Sequence, residues 1–270
     1  MKEKSNTLSL QEQFLLKYRQ HRRQMTISRL FILFFFLAIW ELCASFGWID
    51  AFFFSSPSRI VRLLWKFSVD GSIFLHIGIT LAETILSFLL VFVISLIFAT
   101  LLWLSPKLSE VFEPYLVILN SLPKSALAPL FIVWLGTGMN TIVVAGISVA
   151  VFGSIISFYN SFRQCDPEKL ILIKTLGGSK KDAFFKVILP GSAPDLLSTS
   201  KVNIGLALVG VIIGEFLAAR RGLGYLIIYG TQVFQLDQVI ASILLLCIIA
   251  FGFYQGVQLI ERKIKALTGI

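Results

Sequence analysis

The chain has 270 residues, 56% of them hydrophobic and 14% charged, with a mean hydropathy of +0.84; a soluble core of this size cannot hide that much apolar surface, so the chain belongs in a bilayer. Lysine and arginine exceed aspartate and glutamate by 24 to 15, but the excess is divided among segments flanking apolar runs and lacks an interleaved aromatic platform, which argues against nucleic acid as a partner. Cys43, Cys165 and Cys247 are too scattered for a disulfide framework or a zinc site and read as small packing residues.

Crossing the hydrocarbon core takes about 20 helical residues. Runs of that kind fall at 28–46, 76–104, 111–137, 140–162, 196–218 and 236–260. The expected fold is therefore all-α: a polytopic membrane protein with six transmembrane helices in a single domain over 28–262, an N-terminal segment 1–27 and a tail 263–270. The first run, "FILFFFLAIW", has no helix breaker. A basic start before an apolar run imitates a cleaved signal, yet Trp40, Glu41 and Trp48 stand where small residues would mark a cleavage site, so the span is expected to stay. Glu41, near its end, reads as interfacial. Next comes "SSPSRIVRLLWKF", with Ile60, Leu63, Leu64 and Phe67 on one side of a helix and Arg59, Arg62 and Lys66 on the other; it predicts a short helix lying on the outer surface.

The second span carries Glu83, with Thr80, Thr84 and Ser87 on the same helical face, so that side should meet protein or a wet pathway and not lipid. Glu215 in the fifth span poses the same question. A charge inside a membrane costs a few kcal/mol or more and is kept for a reason; a hydrogen bond locking helix to helix and a place along a pathway are both open for these two residues. The third span contains Pro114, Pro123 and Pro129 and should be kinked or broken, shielded by its neighbours.

Between the fourth and fifth spans, 163–195 is the most polar stretch. Asp166, Pro167 and Glu168 form a helix start: a capping acid, a proline in the first turn, and a second acid at the positive end of the dipole. Gly177 and Gly178 should close that helix, since glycine accepts the left-handed conformation of a C-terminus. Ser179 and Asp182 have capping-box spacing, so a second helix should follow at once and run to Leu189, where Pro190 stops it. Leu170, Ile173 and Leu176 on the first arm, and Phe184, Val187 and Ile188 on the second, are available for burial. Lys180, Lys181 and Lys186 fit two uses of this hairpin: resting on anionic lipid headgroups, or presenting one helix to a soluble partner. On the fifth and sixth spans, Gly210 and Gly214, and Gly252 and Gly256, have the spacing that lets helices approach closely, as internal packing or as a dimer seam.

Orientation follows from the basic residues. Lys17, Arg19, Arg22, Arg23 and Arg29 precede the first span, six basic residues from Arg163 to Lys186 follow the fourth, and Arg262, Lys263 and Lys265 follow the sixth. They outweigh Arg59, Arg62, Lys66, Arg220 and Arg221 on the other side and put both termini in the cytoplasm. No glycine is followed by lysine, so a G-x-x-x-x-G-K-[ST] phosphate loop is excluded. With His21 and His76 as the only histidines, hydrolytic or metal chemistry has nothing to stand on, and no metal site is expected.

Gly177, nine residues, Val187, one residue, then Leu189-Pro190 resembles the cytoplasmic signature of bacterial ABC-transporter permease subunits. In that signature an E-A-A triplet precedes the glycine; here Ile171, Leu172 and Ile173 stand in its place. "AIWELCASFGWID", "SLPKSALAPLFIVWLGTG", "DPEKLILIKTLGGSKKDAFFKVILPGSAPDLL" and "VIIGEFLAARRGLGYLI" are similar to the permeases of nitrate, sulfonate and taurine importers, from about residue 38 to the end. The resemblance implies a non-catalytic subunit in a bacterial plasma (inner) membrane, with no cofactor of its own. ATP and Mg2+ would sit on a separate cytoplasmic ATPase dimer, a second permease copy would complete the pathway, and an extracytoplasmic solute-binding protein would deliver a small organic or inorganic anion. Relatives of this branch carry vitamin precursors such as a thiamine pyrimidine or a riboflavin-related compound, which is the alternative cargo. A secondary transporter is the alternative class, although the repeats such a protein would show are absent from the sequence. By the same resemblance the ATPase-coupling residues are Asp166, Pro167, Glu168, Leu170, Ile171, Ile173, Lys174, Leu176, Gly177, Gly178, Ser179, Lys186, Val187, Leu189 and Pro190.

Overall fold

The computed structural model describes residues 10–268. Residues 1–9 of the expected N-terminal segment and the last two residues of the expected tail lie outside the described residues. Everything regular among the described residues is helical, with no strand. The chain divides by its contacts into two units, Met1–Leu63 and Leu64–Ile270.

The first unit is built on α1 (Leu10–Ser45), which begins well before the expected 28. The preceding stretch holds no breaker and is rich in Gln, Leu, Lys and Arg, all good helix formers, so the helix runs through it. Asp50 caps the short α2 (Ala51–Phe54), accepting a hydrogen bond from the Phe52 N–H at 2.8 Å. Glu41 accepts from both the N–H and the hydroxyl of Ser58, at 2.9 and 2.8 Å, which ties the end of α1 to the start of α3 (Pro57–Val69).

The second unit holds α4 (Ser72–Leu104), α5 (Pro106–Ser121), α6 (Lys124–Leu135), α7 (Met139–Arg163), α8 (Pro167–Thr175), α9 (Lys180–Ala183), α10 (Leu189–Ala218), α11 (Leu223–Gln232) and α12 (Leu236–Thr268). Among the described residues, five helices are long and apolar enough to cross a membrane, or six if α5 and α6, bent by 94°, count as one broken span. The bend lies at Leu122-Pro123: proline disfavours the helical conformation of the residue before it, and Leu122 is extended (φ −64°, ψ 140°). Pro114 and Pro129 stay inside their helices. The Lys124 ammonium donates to the Asn120 carbonyl beside the break, so that acceptor is not orphaned.

At the centre α7 packs between α4 and α10. Small residues set the spacing. A Cβ on Gly146 of α7 would lie 2.5 Å from the Ser87 hydroxyl of α4, one on Gly210 of α10 would lie 2.7 Å from the Ala145 carbonyl, and one on Gly214 would lie 2.8 Å from the Ile142 Cα. Gly210 and Gly214 are thus spent on close packing within this chain. Gly252 and Gly256 on α12 meet nothing within 4 Å. The main apolar cluster joins Val91, Ala150, Phe158, Phe162, Phe184 and Ile188, with the Phe184 ring 5.3 Å from Phe162 and 5.7 Å from Trp103.

The fifth span departs most from expectation. Pro190 does not end a helix: it is the second residue of α10, directly after a π-helical turn. Phe184–Ile188 forms one π-helical turn that carries α9 directly into α10, with the Leu189 N–H reaching back to the Phe184 carbonyl. The segment Lys180–Ala218 is consequently one helical run of 39 residues, and the expected boundary at 195 falls inside it.

Candidate functional site

Two groups of sequence-marked residues occupy opposite ends of α10, whose 30 residues extend about 45 Å at 1.5 Å each. At the N-terminal end is the α8–α9 elbow. The Asp166 carboxylate accepts from the Glu168 N–H at 2.9 Å, with Pro167 in the first turn and Glu168 beside the positive end of the helix. At the other end Gly177 takes φ +77°, its N–H bonds to the Lys174 carbonyl at 3.0 Å, and the Gly178 N–H bonds to the Ile173 carbonyl at 2.9 Å. That pairing is a Schellman closure, and it uses carbonyls the helix would leave unpaired. Ser179 and Asp182 then form the capping box: the Asp182 N–H donates to Ser179 Oγ at 3.2 Å and the Ser179 N–H to Asp182 Oδ2 at 3.0 Å. Lys186 lies 2.8 Å from the other Asp182 oxygen. The Lys186 contact, then those of Ser179, hold the Asp182 carboxyl well below the usual carboxylate range.

Burial sorts this segment into two faces. Ala183, Phe184 and Ile188 are buried in the membrane unit, while Leu170, Ile173, Val187 and Leu189 are half-buried. Leu176, one of the residues available for burial, is 74% exposed, and Ile171 and Leu172 are 64% and 58% exposed. Glu168, Lys174, Gly177, Ser179, Lys186 and Pro190 are exposed and Gly178 is half-buried. An apolar strip of Ile171, Leu172 and Leu176 therefore projects from a polar elbow. Beside it a polar cleft of about 530 Å3 opens between α7, α8 and α10, lined in part by Gln164, Asp166, Lys169, Lys186 and Asp195.

The second group is buried at the C-terminal end of α10. Thr80, Glu83, Thr84 and Ser87 are all 4% exposed or less, on the face of α4 turned toward α7 and α10. Thr80 donates to Glu215 Oε1 at 2.6 Å, the Gly224 N–H donates to Glu215 Oε2 at 2.5 Å, and the Glu83 carboxyl adjoins that of Glu215. Ser87 Oγ faces the Val143 carbonyl at 3.4 Å. Sequence reasoning assigned no role to His76 or Gly222, yet the Gly222 N–H donates to His76 Nδ1 at 3.0 Å across 146 residues of sequence separation. It also passed over Lys201, which pairs with Glu261 of α12 with both side chains largely buried; a lysine inside an apolar run was the signal for it. No group of three or more potential metal ligands forms among the described residues.

The family described as "Binding-protein-dependent transport system inner membrane component" matches residues 91–266. A probable ABC transporter permease protein of Haemophilus influenzae is 32% identical over 222 residues, which is 82% of this chain and 90% of that protein. A putative aliphatic sulfonates transport permease protein of Bacillus subtilis is 27% identical over 228 residues, covering 84% of this chain and 83% of the relative. Among solved structures, the MetNI methionine ABC transporter in inward facing conformations has a chain that superposes with a TM-score of 0.64 at 20% identity, over 73% of this chain and 97% of that one.

Proposed function

Since the chain belongs to the family of binding-protein-dependent transport system inner membrane components, and is a permease component of a transport system, we propose that it works in an ATP-driven importer and takes its power stroke through the α8–α9 elbow. Two copies form the pathway in a bacterial inner membrane, with both termini cytoplasmic. A separate ATPase dimer holds ATP and Mg2+ and receives the strip of Ile171, Leu172 and Leu176 in a groove, and an extracytoplasmic binding protein delivers the cargo. The relative named for aliphatic sulfonates supports a small organic anion as that cargo.

The observation that carries this reading is the combination of exposed apolar side chains with a rigid mount. Leucine and isoleucine bare on a polar loop cost hydration free energy, about 25 cal/mol per Å2 of apolar surface, that a partner's groove would recover. The Schellman closure, the capping box and the unbroken run into α10 leave little slack between that surface and the membrane core. ATP closing the two ATPase subunits would then displace α8 and α9, and α10 with them, to alternate access across the membrane.

The test is co-reconstitution with the ATPase and binding protein of the same transport system. Leu176→Asp should abolish ATP-driven uptake of a labelled aliphatic sulfonate while leaving the permease inserted; unchanged uptake would remove the elbow from the mechanism.

A further inference from the structure

The N-terminus of α11 is anchored by side chains from two other helices. A helix start leaves its first N–H groups unpaired, and Gly222, with φ +116°, has no side chain to cap them. The Gly222 N–H donates to His76, the Leu223 N–H to Thr80 Oγ1 at 2.9 Å, and the Gly224 N–H to Glu215 Oε2, while the Tyr225 backbone also faces Glu215. Thr80 serves twice, accepting from Leu223 and donating to Glu215. Glu215 is 1% exposed and accepts at both carboxyl oxygens beside the positive end of a helix. Glu83 beside it has one oxygen, Oε2, without a hydrogen-bond partner among the described residues. The turn is also pressed onto the acid: a Cβ on Gly224 would lie 2.8 Å from the Glu215 Cβ.

We propose that Glu215 is a positioning residue that fastens α11 to the far end of α10, with Glu83 beside it as support, so that α11 moves with α10 as one body. No helix break intervenes between the π-helical turn and Glu215. The outer surface of α11 and the exposed stretch at its end, 231–235, would then answer to the elbow through a rigid rod. The driven part of this proposal rests on the coupling role of the elbow; the anchor does not.

The experiment is hydrogen exchange by mass spectrometry on the permease assembled with its ATPase subunits in lipid nanodiscs, read at 222–225 and at 166–190. Glu83→Gln should keep wild-type protection of 222–225, because a glutamine amide N–H can donate to Glu215 from the same place. Glu215→Gln should raise exchange there by about tenfold or more, since one amide oxygen cannot serve the donors that two carboxylate oxygens serve. If that variant fails to insert, Thr80→Val, with Thr80→Ser as the conservative rescue, makes the same comparison at Leu223. Trapping with ATP and vanadate should change exchange at the elbow and at 222–225 together in the wild type, and at the elbow alone in Glu215→Gln. Wild-type protection in both Glu215→Gln and Thr80→Val overturns the anchor. An elbow that responds without α11 in the wild type overturns the rigid link and leaves the coupling role standing. An elbow silent to nucleotide overturns the coupling role and the driven motion, while resting exchange at 222–225 still decides the anchor.

Discussion

Replacing Gly177 isolates the conformational demand of the elbow from its packing. A Cβ at Gly177 meets nothing within 4 Å, so a side chain there clashes with nothing, but the residue is held at φ +77°. An L-residue in the left-handed region costs about 1–2 kcal/mol, and β-branched valine belongs at or above the upper end. Taking 2 kcal/mol, the closed elbow loses a factor of about 30 against opened forms. Asparagine, which tolerates this conformation, should cost far less. Gly178 offers a contrast: its strain on substitution is steric, with a Cβ 2.6 Å from Ile173 Cγ2 and 2.9 Å from the Ile173 carbonyl. In proteoliposomes holding permease, ATPase and binding protein, Gly177→Val should keep the permease folded and ATP hydrolysis running while uptake of a labelled sulfonate falls, and Gly177→Asn should retain most uptake. Equal, wild-type coupling in the valine and asparagine variants would refute the argument that the left-handed closure holds the docking surface in place.

Further outcomes follow from other contacts. Gly210→Ala and Gly214→Ala press a methyl onto α7 backbone and should each destabilise the permease by about 1–3 kcal/mol, visible as a lower unfolding midpoint in detergent. Gly252→Ala and Gly256→Ala meet open space within the chain and should shift it by less than about 0.5 kcal/mol; a loss that grows with protein concentration would place that stripe at a contact between copies. Ser179→Ala should cost α9 about 1 kcal/mol through its lost cap, seen as faster amide exchange at 180–183. Asp182 is a stronger acid in the fold than in the free chain. Its contribution is therefore complete above the usual carboxylate range, around pH 4, and is lost as pH falls through its folded value: protection of α9 should be flat from neutral to mildly acid pH and fall only in strong acid, and Asp182→Asn should lack that acid limb. At Lys201–Glu261, removing one charge should destabilise more than replacing both residues by apolar ones, a comparison that a double-mutant cycle makes directly.

What the sequence made legible tracks how local each signal is. Apolar runs marked the spans because the bilayer demands a fixed length, and Asp166, Gly177, Gly178, Ser179 and Asp182 marked the elbow because caps and closures act within a few residues. Three prolines announced a broken third span, but only the structure shows Pro123 as the break. Pro190 was misread for a physical reason: a π-helical turn re-phases the backbone just before it, and the helical run passes through the proline instead of ending there. Leu176 was read as available for burial by helical spacing, which finds a face but cannot say whether that face meets the same chain. The polar face around Glu83 was visible at 3.6-residue spacing. The pairings of that helix with α10 and α11, Thr80 with Glu215 and His76 with Gly222, were not, because contacts across more than 130 residues leave no periodic trace.

The central claim is that the elbow docks on a separate ATP-hydrolysing subunit. The most direct measurement places a photocrosslinking amino acid at Leu176 in the intact transporter in its native membrane and identifies what it captures with and without ATP. The account predicts capture of a phosphate-loop ATPase subunit at a yield that changes with nucleotide. Capture of phospholipid alone, unchanged by ATP, would contradict it.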